Sequence, residues 1–476
     1  MPPSGHRRAL RGELAERGRG VWEVGHNPRS MTIGRRLIDI LPRGRFARGV
    51  ITLVLGTGLA QVIVIATSPI LTRLYSPSDY GIFAVAASII SILITITCLR
   101  YEYAIPLPKD EDTAANVLAL SLLAHAVMCV AAGALLWLIA PWLFAPFGAT
   151  VLVPFVWVIS LAQIGGGIVS ALTNWAVRTK TYSDIAGSRL MQSVTLVAAQ
   201  AGLGAAGAGS VGLLVGDAAG RISGSSGLVL SARRSHPSAF RRVSRAGITA
   251  AARRYRRFPI LSTGSALLTS LSLQVPLLLL VSLYGTETGG QFVLAARVCA
   301  IPLTLIADAV GQVFVAESAG LVRDNPAQLR GLYSRTTRTL ATAALGPALL
   351  GMLLAPLLVG PVFGAEWAQA GLFVAVLIPS FYVAFVIGAT GDLLYVLERQ
   401  DLHLAREILR FTLMGGAIPL AAMLGFSSLE AVALLSAAGV LNYSIYGLIT
   451  WRAVQAWSPL PSPATSGARV PHDDGS

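Results

Sequence analysis

The side chains best placed to do chemistry in this chain are charged residues inside apolar segments. Arg297 lies about nine residues into an apolar run that starts near residue 288, roughly 13 Å along a helix at about 1.5 Å per residue. Asp308 follows eleven residues later, close to three full turns, so the two share a helix face. In another run Asp217 and Arg221 are four apart with the acid first, the favourable order for a helical pair. A charge at the centre of a bilayer costs at least about 2.5–3.5 kcal/mol, so each needs a partner or a task. Two outcomes follow from that cost. Either the acids neutralise the arginines and hold a bundle together, or Arg221 and Arg297, one from each half of the chain, offer guanidinium groups to an anionic ligand. Arginine suits the second role because its planar fork stays charged and grips phosphate oxygens in pairs.

Arg100, Glu102, Arg189, Glu317 and Asp392 fall near the ends of apolar runs, where long charged side chains reach water at little cost. Together they could form a charged vestibule. Gln163, Asn174, Gln192, Gln274 and Gln312 lie deeper and could bond hydroxyl groups, although such side chains more often bridge helices. Gly212, Gly216, Gly220 and Gly224 recur every fourth residue, which leaves one flank of a helix bare for close packing. Pro302, Pro379, Pro419 and the Gly165-Gly166-Gly167 triplet predict bends. His125 is isolated and reads as a helix-contact residue. Cys98, Cys129 and Cys299 sit in apolar runs without metal-binding spacing, and no Walker loop, HExxH, GxSxG or paired-carboxylate arrangement occurs. Neither a metal nor a cofactor is expected.

The elements that must position these residues are membrane helices. Hydrophobic residues make up 54% of the 476, charged residues only 13%, and mean hydropathy is +0.66, too apolar for a soluble globule. Twelve apolar segments of spanning length are predicted near 50–72, 80–104, 113–140, 149–173, 184–207, 209–231, 258–283, 288–316, 338–360, 369–397, 404–424 and 429–451. Between the sixth and seventh lies a strip, Arg233 to Arg257, with nine arginines and no acid. Positive charge of this density stays cytoplasmic. The alternation then leaves Arg73 as the sole basic residue on the outer connections, beside Asp79, Glu287, Glu366 and Glu430. The net charge of +14 therefore follows the inner loops and does not point to nucleic acid.

The expected organisation is a basic cytoplasmic tail at 1–49, an N-lobe of six helices at 50–231, a linker at 232–257, a C-lobe of six helices at 258–452, and a cytoplasmic tail at 453–476. Residues 1–49 carry eleven arginines and four acids and read as disordered; Met31 would open a shorter product that keeps the basic segment 34–48. The halves echo one another: Thr57-Gly58 and Thr263-Gly264 open their first spans, Pro69 matches Pro276, and Tyr75…Gly81-Ile82-Phe83 matches Tyr284…Gly290-Gln291-Phe292. Parallel repeats of this kind place a site at their shared interface.

The run Pro69-Ile70-Leu71-Thr72-Arg73-Leu74-Tyr75-Ser76-Pro77-Ser78-Asp79-Tyr80-Gly81, with Leu99-Arg100-Tyr101-Glu102-Tyr103-Ala104-Ile105-Pro106-Leu107-Pro108, resembles the first two spans of the Wzx-type oligosaccharide flippase family. That family belongs to the multidrug/oligosaccharidyl-lipid/polysaccharide (MOP) exporter superfamily. Gly290-Gln291-Phe292-Val293-Leu294-Ala295-Ala296-Arg297 agrees more loosely. The resemblance implies an all-α integral membrane fold, about twelve transmembrane helices in a V of two lobes with both termini cytoplasmic. It also implies a bacterial cytoplasmic membrane protein, not an enzyme. The implied cargo is an undecaprenyl-diphosphate-linked oligosaccharide destined for surface polysaccharide, with a polysaccharide polymerase and assembly proteins as possible partners besides the bilayer. With such a cargo, charge and spacing would have Arg221, Arg297, Arg100 and Arg189 hold it, and Asp217, Asp308, Glu102, Glu317 and Asp392 pair with them or couple transport to an ion. A drug or cation antiporter of the same superfamily is the first alternative; it would need unpaired carboxylates facing the cavity. A membrane polysaccharide polymerase is the second; it would need a large loop.

Overall fold

The computed structural model describes residues 45–457 apart from His236, Asn325, Asp392 and Glu398. The expected tails therefore lie almost wholly outside the described residues, and Asp392 does so entirely. From Gly49 onward the described residues belong to one compact unit. Every regular element among them is helical.

The first half contains six long helices, α1 (Arg45–Leu74), α2 (Pro77–Thr97), α3 (Glu111–Phe144), α4 (Val156–Thr179), α5 (Tyr182–Ala205) and α6 (Gly209–Ser235). Ser76 starts α2 with a capping box: its hydroxyl accepts from Asp79 N at 3.2 Å, and the Asp79 carboxylate accepts from Ser76 N at 3.1 Å. The same carboxylate accepts from Ser210 N at 2.8 Å, which ties the start of α6 to the start of α2. Helix α2 stops at Thr97, short of the expected 104. The cause is local: Leu99 and Arg100 take left-handed backbone angles, φ 50° and 60°, through which no α-helix continues. A 3₁₀ turn at Tyr101–Ala104 follows, and Asp110 then caps α3 by accepting from Thr113 N at 2.7 Å.

The arginine strip is structured. After α6 come α7 (Pro237–Arg241) and α8 (Arg245–Arg254), and α8 docks on the start of α3. Asn116 Oδ1 accepts from Ser244 N at 3.0 Å, Arg242 pairs with Asp112 at 3.0 Å, and Ala251 and Tyr255 are buried. Arg245, Arg253, Arg254, Arg256 and Arg257 remain exposed. One face of the strip is thus covered by protein and the other is basic.

The second half comprises α9 (Thr263–Asp324), α10 (Pro326–Phe363), α11 (Ala368–Gly391), the short α12 (Leu393–Val396), α13 (Gln400–Met423) and α14 (Ser428–Ala456). Helix α9 is two helices joined at Gly285, whose angles of φ 89° and ψ 165° are not helical. Among the described residues, eight helical stretches are long and apolar enough to cross a membrane. One of them, Phe258–Ala300, has 43 residues and is broken at Gly285. At about 1.5 Å per residue it measures about 65 Å, twice the thickness of a hydrocarbon core of about 30 Å. Helices α5, α6 and α13, of 24, 27 and 24 residues, have spanning length as well. Arg189, Asp217 and Arg221, Glu407 and Arg410, together with small residues, lower their hydropathy.

The halves meet along α2 and α9. At the end opposite the arginine strip the backbones almost touch, Gly81 lying against Thr286 and Gly290 against Pro77. Glycine is required there because no Cβ fits. Around this contact Ser78 and Thr286 share a hydrogen bond of 2.7 Å, Trp367 Nε1 donates to Thr72 O at 2.9 Å, and Tyr80 meets Trp367 edge to face at 5.0 Å. Farther along, Ser88 donates to Gln274 at 3.0 Å. Large apolar side chains such as Trp137, Trp142 and Leu353 face outward in a belt that only lipid would solvate.

Candidate functional site

A cavity of about 340 Å³ opens within the first half. Its wall is drawn from α2 (Ile94), the turn after it (Tyr103), α4 (Gly166, Val169, Ser170, Thr173 and Asn174), α5 (Arg189 and Gln192) and α6 (Arg221). Two guanidinium groups and no carboxylate line it. By helix rise, Arg221 lies about 18 Å from the start of α6 and Arg189 about 10 Å from the start of α5. The cavity therefore runs from mid-bundle toward the arginine-rich end, where Tyr103 sits.

Packing explains why the arginines converge. The glycine stripe of α6 lies on α5: a Cβ on Gly220 would fall 2.9 Å from Gln192 O, and one on Gly224 would fall 3.3 Å from Ser188 O. Ser188 Oγ donates to Gly224 O at 2.8 Å across this seam. Close approach of the two backbones sets Arg189 beside Arg221. On the other flank, a Cβ on Gly165 would lie 2.9 Å from the Arg221 carbonyl carbon, so the triplet lets α4 press on α6. Its third member makes room for the His125 imidazole, which contacts Thr97 Oγ1 at 3.0 Å and Ile164 O at 3.2 Å. His125 is a helix-contact residue, though not an isolated one: Cys129, one turn on, has its sulfur 3.4 Å from the imidazole Nε2.

The acid-first spacing on α6 does give a pair: Arg221 Nε donates to Asp217 Oδ2 at 2.7 Å. Asp217 is buried and is not part of the cavity wall. Because only Nε is engaged, the carboxylate orients the guanidinium while both terminal nitrogens keep their donors free of protein partners among the described residues. Arg189 has no ion-pair partner among the described residues, and its side chain is exposed into the cavity.

At the rim, the Arg100 guanidinium lies 4.0 Å over the Tyr103 ring and 3.9 Å from Glu102 Oε1. Glu102 is 2% exposed, beyond the end of α2. Burial pushes its carboxyl above the ordinary carboxylate range, against the opposing pull of a backbone N–H and Arg100. Arg100 thus reaches the cavity through Tyr103 and does not itself line it.

The structure separates Arg221 from Arg297. Arg297 is half-buried on the second limb of α9, within electrostatic reach of Tyr80, and does not line the cavity. Glu317 is exposed on the same helix; the side chain of Asp308, like Asp392, lies outside the described residues. The three cysteines are free and buried, and among the described residues no group of acids, histidines and cysteines is placed to hold a metal. A charged cluster in the second half went unnoticed in the sequence: Arg406 pairs with Glu407 at 3.3 Å and lies 4.1 Å over the Tyr446 ring, with Arg410 buried one turn on. The signal was present as three charges within five residues of a span.

Comparison with known structures gives the class. The chain superposes on lipid II flippase MurJ in an inward closed conformation with a TM-score of 0.68, 10% identity, and coverage of 84% of this chain and 87% of that one. A multidrug resistance MATE family transporter of the MOP superfamily, in outward-facing conformation, matches with a TM-score of 0.56, 16% identity, and coverage of 90% and 99%. The inward-facing conformation of such a transporter matches at 0.52, also with 16% identity, over 85% and 95%. At these identities the likeness shows the fold: an all-helical, multi-pass membrane protein with the architecture of MOP transporters. The family profile described as polysaccharide biosynthesis protein matches residues 70–371, well over half the chain, and the chain belongs to that family. No curated protein matches it.

Proposed function

We propose that this protein is a flippase that carries undecaprenyl-diphosphate-linked oligosaccharide units across the bacterial cytoplasmic membrane for surface polysaccharide assembly. The observation that carries this reading is the cavity wall with Arg189 and Arg221 and no carboxylate. Family membership and the fold of a lipid flippase support it. Two neighbouring guanidinium groups suit a diphosphate, whose oxygens they can grip in pairs.

In this reading the chain makes twelve crossings in two lobes with both termini cytoplasmic, the paired limbs of α9 and helices α5, α6 and α13 completing the count. The arginine strip marks the cytoplasmic end, and the cavity opens toward it. The diphosphate enters from the inner leaflet and is held by Arg189 and Arg221, with Asp217 orienting the latter. Rocking of the lobes, with parting of the α2–α9 glycine contact at the opposite end, then exposes the head group outside, while the polyprenyl tail remains in lipid. A drug or cation antiporter would place carboxylates in this wall, and the lining has none.

The test is a double substitution, Arg189→Ala with Arg221→Ala, in the full chain reconstituted in proteoliposomes. Translocation of a fluorescent polyprenyl-diphosphate glycan is expected to fall at least tenfold, about 1.4 kcal/mol or more. Undiminished translocation by a correctly inserted variant would remove the diphosphate role.

A further inference from the structure

The cavity wall holds features that a phosphate does not need. Tyr103 is the one aromatic ring among its lining residues, and it is 48% exposed. Its place is set by strain: Leu99 and Arg100, neither of them glycine, both adopt left-handed backbone angles to turn the chain after α2. Arg100 lies 4.0 Å over the ring and so covers one face, leaving the rest of the exposed ring to the cavity. Asn174 in the same wall uses one N–H on Ser170 O at 3.0 Å and keeps its carbonyl oxygen and second N–H unengaged. Behind it, Thr173 Oγ1 and Gln192 Oε1 are buried without a hydrogen-bond partner, closed off from the cavity until their side chains turn toward a ligand. Buried polar atoms left unpaired are costly, and turning them onto a ligand rich in hydroxyl groups would relieve that cost.

We infer that Tyr103 is the stacking platform for the first sugar ring of the cargo, with Thr173, Asn174 and Gln192 taking its hydroxyls. The inference rests on the diphosphate-lipid reading given above. A pyranose joins an apolar face of axial C–H bonds to a rim of hydroxyls that donate and accept, which matches an open aromatic face beside unpaired amide and hydroxyl oxygens. A cationic aromatic ligand would match the ring but not its surroundings, since Arg100, Arg189 and Arg221 all lie at this wall or directly behind it. A neutral hydroxylated ring attached to an anion satisfies both parts of the site.

The experiment compares two probes on the full chain in nanodiscs: undecaprenyl diphosphate without sugar, and the same lipid diphosphate bearing one hexose. The unsubstituted protein is expected to bind the hexose-bearing probe about tenfold more tightly, the scale of a good aromatic stack with one satisfied polar group. Tyr103→Ala is expected to abolish that preference, weakening binding of the hexose-bearing probe about tenfold relative to the sugar-free one. Tyr103→Phe is expected to keep it, because the ring face and not the hydroxyl makes the contact; the same variant controls for misfolding. Equal weakening toward both probes in Tyr103→Ala, or no preference in the unsubstituted protein, would overturn the inference. Binding of neither probe by the unsubstituted protein would instead overturn the diphosphate-lipid reading on which it stands.

Discussion

Substituting the glycines at which the two halves touch should loosen the end of the bundle opposite the arginine strip. A Cβ on Gly290 would lie 2.7 Å from the Pro77 carbonyl carbon and nearer still to its oxygen; one on Gly81 would lie 2.6 Å from the Thr286 carbonyl carbon. Real Cβ atoms essentially never approach within 3.0 Å, and the obstructing atoms are backbone, which cannot swing aside. Helices α2 and α9 must therefore separate by on the order of 1 Å, at the usual overpacking cost of about 1–3 kcal/mol. If that cost is relieved when the contact opens, the equilibrium between closed and open arrangements shifts by about fivefold to more than a hundredfold. Gly58 and Gly264 provide the control. They are repeat-related helical glycines with nothing within 4 Å of a Cβ, so alanine there should be neutral or stabilising by about 0.5–1 kcal/mol. The assay is labelling by a membrane-impermeant maleimide of a cysteine placed at Ser88, a buried residue bonded to Gln274 across the same interface. Gly290→Ala and Gly81→Ala should each speed labelling, whereas Gly58→Ala and Gly264→Ala should not. Equal rates in all four variants would refute the claim that the glycine contact holds this end shut.

Two further outcomes follow from contacts at the ends of the spans. Hydrogen bonds from Thr113 hold the Asp110 carboxyl, just outside a span, below the ordinary carboxylate range. Its contribution is present above the unfolded pKa near 4 and is lost as pH falls through the lower folded value, so thermal stability should decline below about pH 4. Asp110→Asn should flatten that decline, and an unchanged pH slope would contradict it. Asn116→Ala should free α8 by leaving Ser244 N without its acceptor, a loss of about 1–2 kcal/mol. Trypsin should then cut at Arg245, Arg253 and Arg254 several-fold faster, and unchanged cleavage would mean that other contacts hold the strip.

What could be read from the chain alone divides along a physical line. Spacing along a helix is a local property, so the Asp217–Arg221 pair and the close-packed glycine flank of α6 were legible in the sequence, as was the contact of His125 with Cys129 one turn on, which its reading as an isolated residue overlooked. Depth was legible too, since helix rise converts residue number into distance. The direction in which a helix face points, however, depends on the neighbours it packs against. For that reason Arg221 and Arg297, at similar depths, could be read as offering guanidinium groups to one ligand, yet one lines the cavity and the other lies near Tyr80. Arg189 shows the converse. Its nearness to a helix end suggested a side chain reaching for bulk water, whereas the glycine seam between α5 and α6 turns it onto the cavity wall.

Tyr103 was hidden for a different reason. Nothing in Leu99-Arg100-Tyr101 announces a left-handed turn, because neither glycine nor asparagine marks it, and the apolar run gives no cause to end α2 at Thr97. Two consecutive strained residues persist only where surrounding contacts hold them, and here those contacts are the buried Glu102 and the stack of Arg100 on Tyr103. The turn thus converts local strain into a fixed aromatic face at the mouth of a cationic cavity. An α-helix continued through residue 104 would also bring Arg100 and Tyr103 within reach of one another, about 60° apart around its axis and about 4.5 Å apart along it. What the left-handed pair at Leu99 and Arg100 adds is the turn that carries the stacked cation and ring to the cavity mouth.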